Sequence, residues 1–196
     1  MPKPYTPNDK WSQKAAREGY RARSVYKLME LDERFRLLHQ GMIVLDLGAA
    51  PGSWLQYTSE KIGPSGKAIG FDLTAIHEVA PNVSVYRKDI TDLKVVDECL
   101  EQEEINFVDL VLSDIAPSTS GVKDVDQWKS IELAQSVQAV AERHLKPGGR
   151  CVIKIFRGSD FDRFLQDTKR TWKNVRMVKV AVSRDRSREV YLVMTR

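Results

Sequence analysis

Apolar runs of strand length alternate with stretches of helical period along most of this chain, and no other feature restricts its fold as strongly. The runs at 42–47 (MIVLDL), 67–73 (KAIGFDL), 83–89 (VSVYRKD), 107–114 (FVDLVLSD), 149–156 (GRCVIKIF), 175–182 (VRMVKVAV) and 189–195 (EVYLVMT) have the length and β-branched content of strands. Segment 124–145 is helical in period: Ile131, Ala134, Val137, Ala141 and Leu145 recur at three and four, and Pro147-Gly148-Gly149 closes it. Segment 24–38 behaves alike through Val25, Leu28 and Phe35, with Ser24 as the expected N-cap, and 159–172 reads as a third helix. Continuous apolar strands separated by helices predict an α/β fold, with a mostly parallel seven-stranded sheet covered by helices on both faces. The last two strands are joined by a short loop, which predicts an antiparallel hairpin at one edge.

At 196 residues the chain is expected to form a single domain, 1–196, large enough to bury a substantial core. No apolar run approaches the length of a bilayer span, and MPKPYTPNDKW lacks the apolar stretch of a secretory signal. Cys99 and Cys151 are far apart and the three histidines are scattered, so neither zinc nor thiol chemistry is expected. A reducing cytoplasm, a monomer, no metal and no membrane are the corresponding expectations. The net charge is only +4, yet seven lysines or arginines and two acids fall between Met1 and Lys27. Segment 163–196 is also basic, whereas 89–104 is acidic. Such asymmetry is equally the footprint of a nucleic-acid binder and a solvated face of mixed charge.

In open α/β sheets ligands bind beyond the carboxyl ends of the strands, and here four such ends carry an acid: Asp46, Asp72, Asp89 and Asp114. The first strand leads into Asp46-Leu47-Gly48-Ala49-Ala50-Pro51-Gly52-Ser53-Trp54, a glycine-bearing strand-to-helix turn. Pro51 removes an amide where a pyrophosphate would need one, so the turn suits a ligand without phosphates. Asp72 is placed to accept from ribose hydroxyls and Asp89 from the amino group of an adenine. Ribose plus adenine without phosphate points to S-adenosyl-L-methionine; the plainer alternative is a turn whose acids cap the following helices.

The segments RARSVYKL, VLDLGAAPGSW, DIAPSTSG, LKPGG, VIKIF and RDRSREVY, spread over essentially the full length, together resemble the FtsJ family of ribosomal RNA 2′-O-methyltransferases. The resemblance implies a Rossmann-like methyltransferase fold and a Lys-Asp-Lys-Glu catalytic tetrad, matched by Lys27, Asp114, Lys154 and Glu189. It also implies cofactor positions at Gly52, Trp54, Asp72, Asp89 and Asp114. Ser53 departs from the glycine usual after AAPG, and Arg157 stands where glutamine is common. Singly, each tetrad residue has a structural reading: Lys27 as a surface lysine, Asp114 as a cap, Glu189 as an arginine partner. Lys154 is harder to dismiss, because it interrupts a strand expected to be buried.

The implied reaction is methyl transfer from S-adenosyl-L-methionine to a ribose 2′-oxygen, of a uridine in large-subunit ribosomal RNA, free or within the assembled subunit. Lys154 is the expected general base, which requires a pKa about 2 units below the ordinary lysine value. Desolvation and Lys27 push that way, Asp114 and Glu189 the other. If the carboxylates win, Lys154 instead steers and stabilises the developing alkoxide. Segment 1–38 is expected to face the RNA, with Tyr5, Trp11 and Tyr20 either stacking on bases or packing in the core, and the RDRSR loop holding phosphates. The alternatives are a tRNA anticodon-loop ribose methyltransferase and a non-catalytic RNA-binding module.

Overall fold

The computed structural model describes residues 9–118, 120–183 and 187–196. The polypeptide alternates as the sequence predicts. Helices α1 (Lys10–Arg17) and α2 (Val25–Phe35) precede β1 (Ile43–Leu47), α3 (Ser53–Ile62), β2 (Lys67–Asp72), β3 (Val83–Arg87) and α4 (Leu93–Gln102). Then follow β4 (Val108–Ser113), α5 (Lys123–His144), β5 (Leu145–Phe156), α6 (Phe161–Thr171), β6 (Lys173–Val178) and β7 (Glu189–Thr195). The strands form one sheet in the order β3-β2-β1-β4-β5-β7-β6. The first five are mutually parallel, and β7 runs antiparallel to both β5 and β6. The expected hairpin is therefore present, with β6 as the edge and β7 inserted beside β5. The chain leaves β1 toward β2 on one side and returns to β4 on the other, so the carboxyl ends of β1 and β4 flank the switch point where such sheets bind ligands.

Both sheet faces are buried. On one, Leu45, Leu47, Val111, Ile153 and Leu192 pack against α4, α5 and α6; on the other, Val44, Leu110, Leu112, Val152 and Val193 pack against α2 and α3. Because side chains alternate along a strand, the second parity also sets Asp46, Asp114, Lys154, Glu189 and Tyr191 on the α2–α3 face.

Three local expectations are corrected. Ser24 does not cap α2: its backbone is already helical and its side chain makes no cap bond, its hydroxyl lying instead 2.9 Å from the Ser53 hydroxyl. The helix also stops short of residue 38. Arg36 adopts a left-handed conformation, and Asp32 Oδ1 accepts from the Leu37 and Leu38 amides at 2.8 and 2.9 Å. The strand expected at 175–182 leaves the sheet after Val178, because Glu30 of α2 accepts from the Ala181 amide at 2.7 Å and draws the chain away. Val180 and Val182 remain buried, now against the α2–α3 core.

Candidate active site and cofactor cleft

Above the α2–α3 face the four sequence-predicted residues Lys27, Asp114, Lys154 and Glu189 meet. Lys154 Nζ stands 3.1 Å from Asp114 Oδ1 and also donates to the Asp114 backbone carbonyl. Lys27 Nζ stands 2.8 Å from Glu189 Oε1 and 3.5 Å from each Asp114 oxygen. Lys27 projects from the first turn of α2, Asp114 follows β4, Lys154 lies within β5 and Glu189 opens β7. Lys154 and Glu189 are buried, so the charges interact where water screens them little.

Two further residues complete the cluster. Tyr191 is fully buried and donates to Asp114 Oδ1 at 2.5 Å, and Ser183 donates to Glu189 Oε1 at 2.7 Å. The register pairs Lys154 with Tyr191 across β5 and β7. Burial pushes the Asp114 carboxyl up, but Lys154, Lys27 and the Tyr191 hydroxyl outweigh it and hold the group below the usual carboxylate range. The same carboxylate works against ionisation of Tyr191, whose pKa burial, Asp114 and Glu189 all raise. Tyr191 therefore stays a hydrogen-bond donor at neutral pH. Its signal in the sequence was its position two residues after Glu189, on the same face of the strand.

Beside this cluster lies a cleft of about 540 Å³ lined by Gly48, Phe71, Asp72, Asp89, Ile115 and Asp114, among others. Asp72 is held by the Ala50 and Thr74 amides at 2.9 and 2.7 Å. Asp89 is exposed, and its Oδ1 accepts from the Thr91 amide and hydroxyl, which fixes the carboxylate at the cleft. Phe71, Ile90 and Ile115 give apolar walls suited to a flat ring. At Gly48, a Cβ would come within 2.6 Å of Ile115, so only glycine lets the turn lie against that wall.

The other two residues assigned to the cofactor stand differently. Gly52 faces Arg21, Ile76 and Val79 rather than the cleft, and a Cβ there would meet Arg21 Nη1 at 2.9 Å. Arg21 in turn donates to the carbonyls of Pro51 and His77, strapping α1's end over the turn. Trp54 donates from its indole to the Ser24 carbonyl at 2.8 Å and lines a side cavity of about 40 Å³ with Asp46, Ser53 and Asp114. Trp11 and Tyr20 belong with packing: Trp11 lies 5.3 Å from the Tyr26 ring, and Tyr20 donates to Glu60. Tyr5 and the loop residues Arg184, Asp185 and Arg186 lie outside the described residues.

Asp46, one of the four strand-end acids, stands near the carboxyl end of β1. It is buried, it lines the side cavity, and its Oδ2 has no hydrogen-bond partner. Burial, then Asp114 and Asp72, raise its pKa well above the ordinary value. A carboxyl raised in the folded state lowers stability progressively as pH climbs above its unfolded pKa. Asp46→Asn is therefore expected to raise the melting temperature of the ligand-free protein at pH 7–8 by about 2–4 °C. The gain should vanish near pH 3, where both states hold the proton; thermal denaturation at the two pH values checks this.

The FtsJ-like methyltransferase family model matches residues 20–196. The chain belongs to that family. It is 46% identical over 186 residues to the ribosomal RNA large subunit methyltransferase E of Azoarcus sp. (strain BH72), covering 95% of this chain and 90% of that one. The protein of the same name from Syntrophobacter fumaroxidans is 43% identical over 190 residues, covering 96% of this chain and 95% of the relative. A Plasmodium falciparum protein solved under the description ribosomal RNA methyltransferase superposes with a TM-score of 0.78 at 31% identity, over 90% of this chain and 97% of that one. This FtsJ-like protein is thus an RNA methyltransferase, and its seven-stranded sheet is the methyltransferase fold.

Proposed function

We propose that the whole chain acts as one S-adenosyl-L-methionine-dependent enzyme that methylates a ribose 2′-oxygen, of a uridine, in large-subunit ribosomal RNA. The observation that carries this reading is the shared wall: Asp114 lines the cofactor cleft and also holds Lys154 at 3.1 Å. A nucleophile activated at Lys154 therefore stands beside whatever the cleft binds.

The cofactor supplies a methyl group on a positively charged sulfur, already activated for transfer. Asp72 accepts from its ribose hydroxyls, Asp89 from its adenine amino group, and the apolar walls take the ring. Asp46, which lines the side cavity and carries an unpartnered oxygen, offers a polar contact to the amino-acid end. Alignment of acceptor and donor in such a cleft supplies about 7–11 kcal/mol at the upper end.

Lys154 receives the hydroxyl proton. A neutral amine has two N–H donors and one lone pair, and the two acceptors contributed by Asp114 take both N–H groups. The lone pair is left for the ribose. Lys27, bound to Glu189 and to the Asp114 carboxylate, completes the charge balance around Asp114 and offers its remaining N–H to the forming alkoxide.

Basic residues of α1 and α2 flank the site and hold phosphates without reading sequence. Methylation of ribosomal RNA is expected to fall steeply as salt rises from about 50 to 200 mM, while cofactor binding by calorimetry changes little. Salt-independent methylation would rule out this docking surface. Methyl incorporation into tRNA alone would transfer the activity to the anticodon-loop alternative, and absence of cofactor binding would leave only an RNA-binding module.

A further inference from the structure

Beyond Glu189 the carboxyl edge of the sheet opens into a second groove, of about 340 Å³, lined by Arg157, Met177, Lys179, Arg188 and Glu189. Its cations occupy three neighbouring strand ends. Arg157 follows β5, Arg188 precedes β7 and Lys179 follows β6; because β7 is antiparallel, all three ends lie at one edge. At a strand spacing of about 4.8 Å, the row spans roughly 10 Å.

The row is built rather than incidental. The Arg157 amide donates to the Arg188 carbonyl at 2.9 Å, and the Arg157 guanidinium lies 5.6 Å from the Phe161 ring centre. Arg188 Nη2 reaches the Lys123 carbonyl at 3.3 Å. The Lys179 carbonyl accepts from Arg34, and Glu30 accepts from the Ala181 amide, so the helix carrying Lys27 also fixes this wall. Among the described residues no carboxylate pairs with Arg157, Lys179 or Arg188, and Glu189, the acid of the groove, is held by Lys27. Met177 is 46% exposed, an adaptable apolar surface beside these three cations. Cations with a soft apolar neighbour suit a nucleotide: phosphate on the arginines and lysine, base against the thioether.

We infer that this groove is the subsite for the nucleotide adjoining the methylated one, its phosphodiester held by Arg157, Lys179 and Arg188. The inference rests on the RNA-methylating reading above and extends it to the path of the strand, which runs from α2 across Glu189 toward β6. It also gives a use to Arg157, one of the two departures from the family pattern.

The test compares wild type with Arg157→Ala, Lys179→Ala and the double variant, with Lys169→Ala on the exposed face of α6 as a control for loss of charge alone. Each single groove variant is expected to raise KM for a ribosomal RNA fragment by about threefold to tenfold and to lower the slope of log K against log salt by roughly 0.7 for a single-stranded RNA, and the double variant to lower it by roughly 1.4. Cofactor affinity and kcat should stay near wild type, and Lys169→Ala should behave as wild type throughout. Groove variants indistinguishable from Lys169→Ala would overturn the subsite while leaving the methyltransferase reading intact. Loss that appears only with assembled subunits, and not with naked RNA, would overturn it in favour of a ribosomal protein contact. A wild type that transfers no methyl group to RNA would overturn the reading itself, and the subsite with it.

Discussion

Lys154→Arg is expected to bind S-adenosyl-L-methionine with about wild-type affinity and to lose roughly 10²–10⁴-fold in kcat. Arginine keeps the positive charge and can reach Asp114, so a purely electrostatic role for position 154 would survive the change in part. It cannot surrender a proton in the working pH range, so a general-base role would not. The buried setting sharpens the contrast. Lys154 Nζ donates to the Asp114 carbonyl and stands 3.1 Å from its carboxylate, contacts that a guanidinium can also make. A pH–rate profile separates the cases: wild-type kcat should rise with pH through a single ionisation, and the residual rate of the variant should lack that limb. An arginine variant with full activity would remove Lys154 from the base role and leave it as a support for the alkoxide.

Asp114→Asn is expected to lower folding stability by about 3–5 kcal/mol as well as abolish transfer, because it strips the charge that faces two enclosed ammonium groups. The Asp114 side chain is 17% exposed, and the Lys27 and Lys154 side chains are 12% and 6% exposed, so solvent cannot substitute for it. The pH dependence follows from the direction of its shift. Its folded-state pKa lies below the ordinary 3.8, so its contribution is fully present above that value and is lost as pH falls through the folded one. The stability gap between wild type and variant should therefore be wide at pH 6–7 and close in strong acid. Chemical denaturation at several pH values checks this; a gap that stays constant down to pH 2 would mean that the carboxylate's charge contributes nothing.

The sequence made the sheet legible because its strands are buried on both faces and read as unbroken apolar runs. Helix α3 was marked only by the strand-to-helix turn before it, and α1 and α4, 8 and 10 residues long, were not anticipated as separate elements. The tetrad positions were legible through the family motifs, and the geometry brings those four residues together from α2, β4, β5 and β7. Tyr191, Ser183 and Asp46 needed more than motifs. Their roles depend on which face of a strand points toward α2 and on β7 lying between β5 and β6, an arrangement set by packing rather than by local pattern. Ser24 was misread for a related reason. Its hydroxyl had a local partner on offer at the helix start, and a tertiary partner, Ser53, claimed it.

The most direct test of the account is the identity of the methylated atom. Large-subunit ribosomal RNA is incubated with the protein and methyl-labelled S-adenosyl-L-methionine, then digested to nucleosides and separated. The label is expected on a single ribose-methylated nucleoside, a 2′-O-methyluridine, from a linkage that alkali does not cleave. Label on a base would contradict the account, in which the proposed role of Lys154 is to take the proton of a sugar hydroxyl.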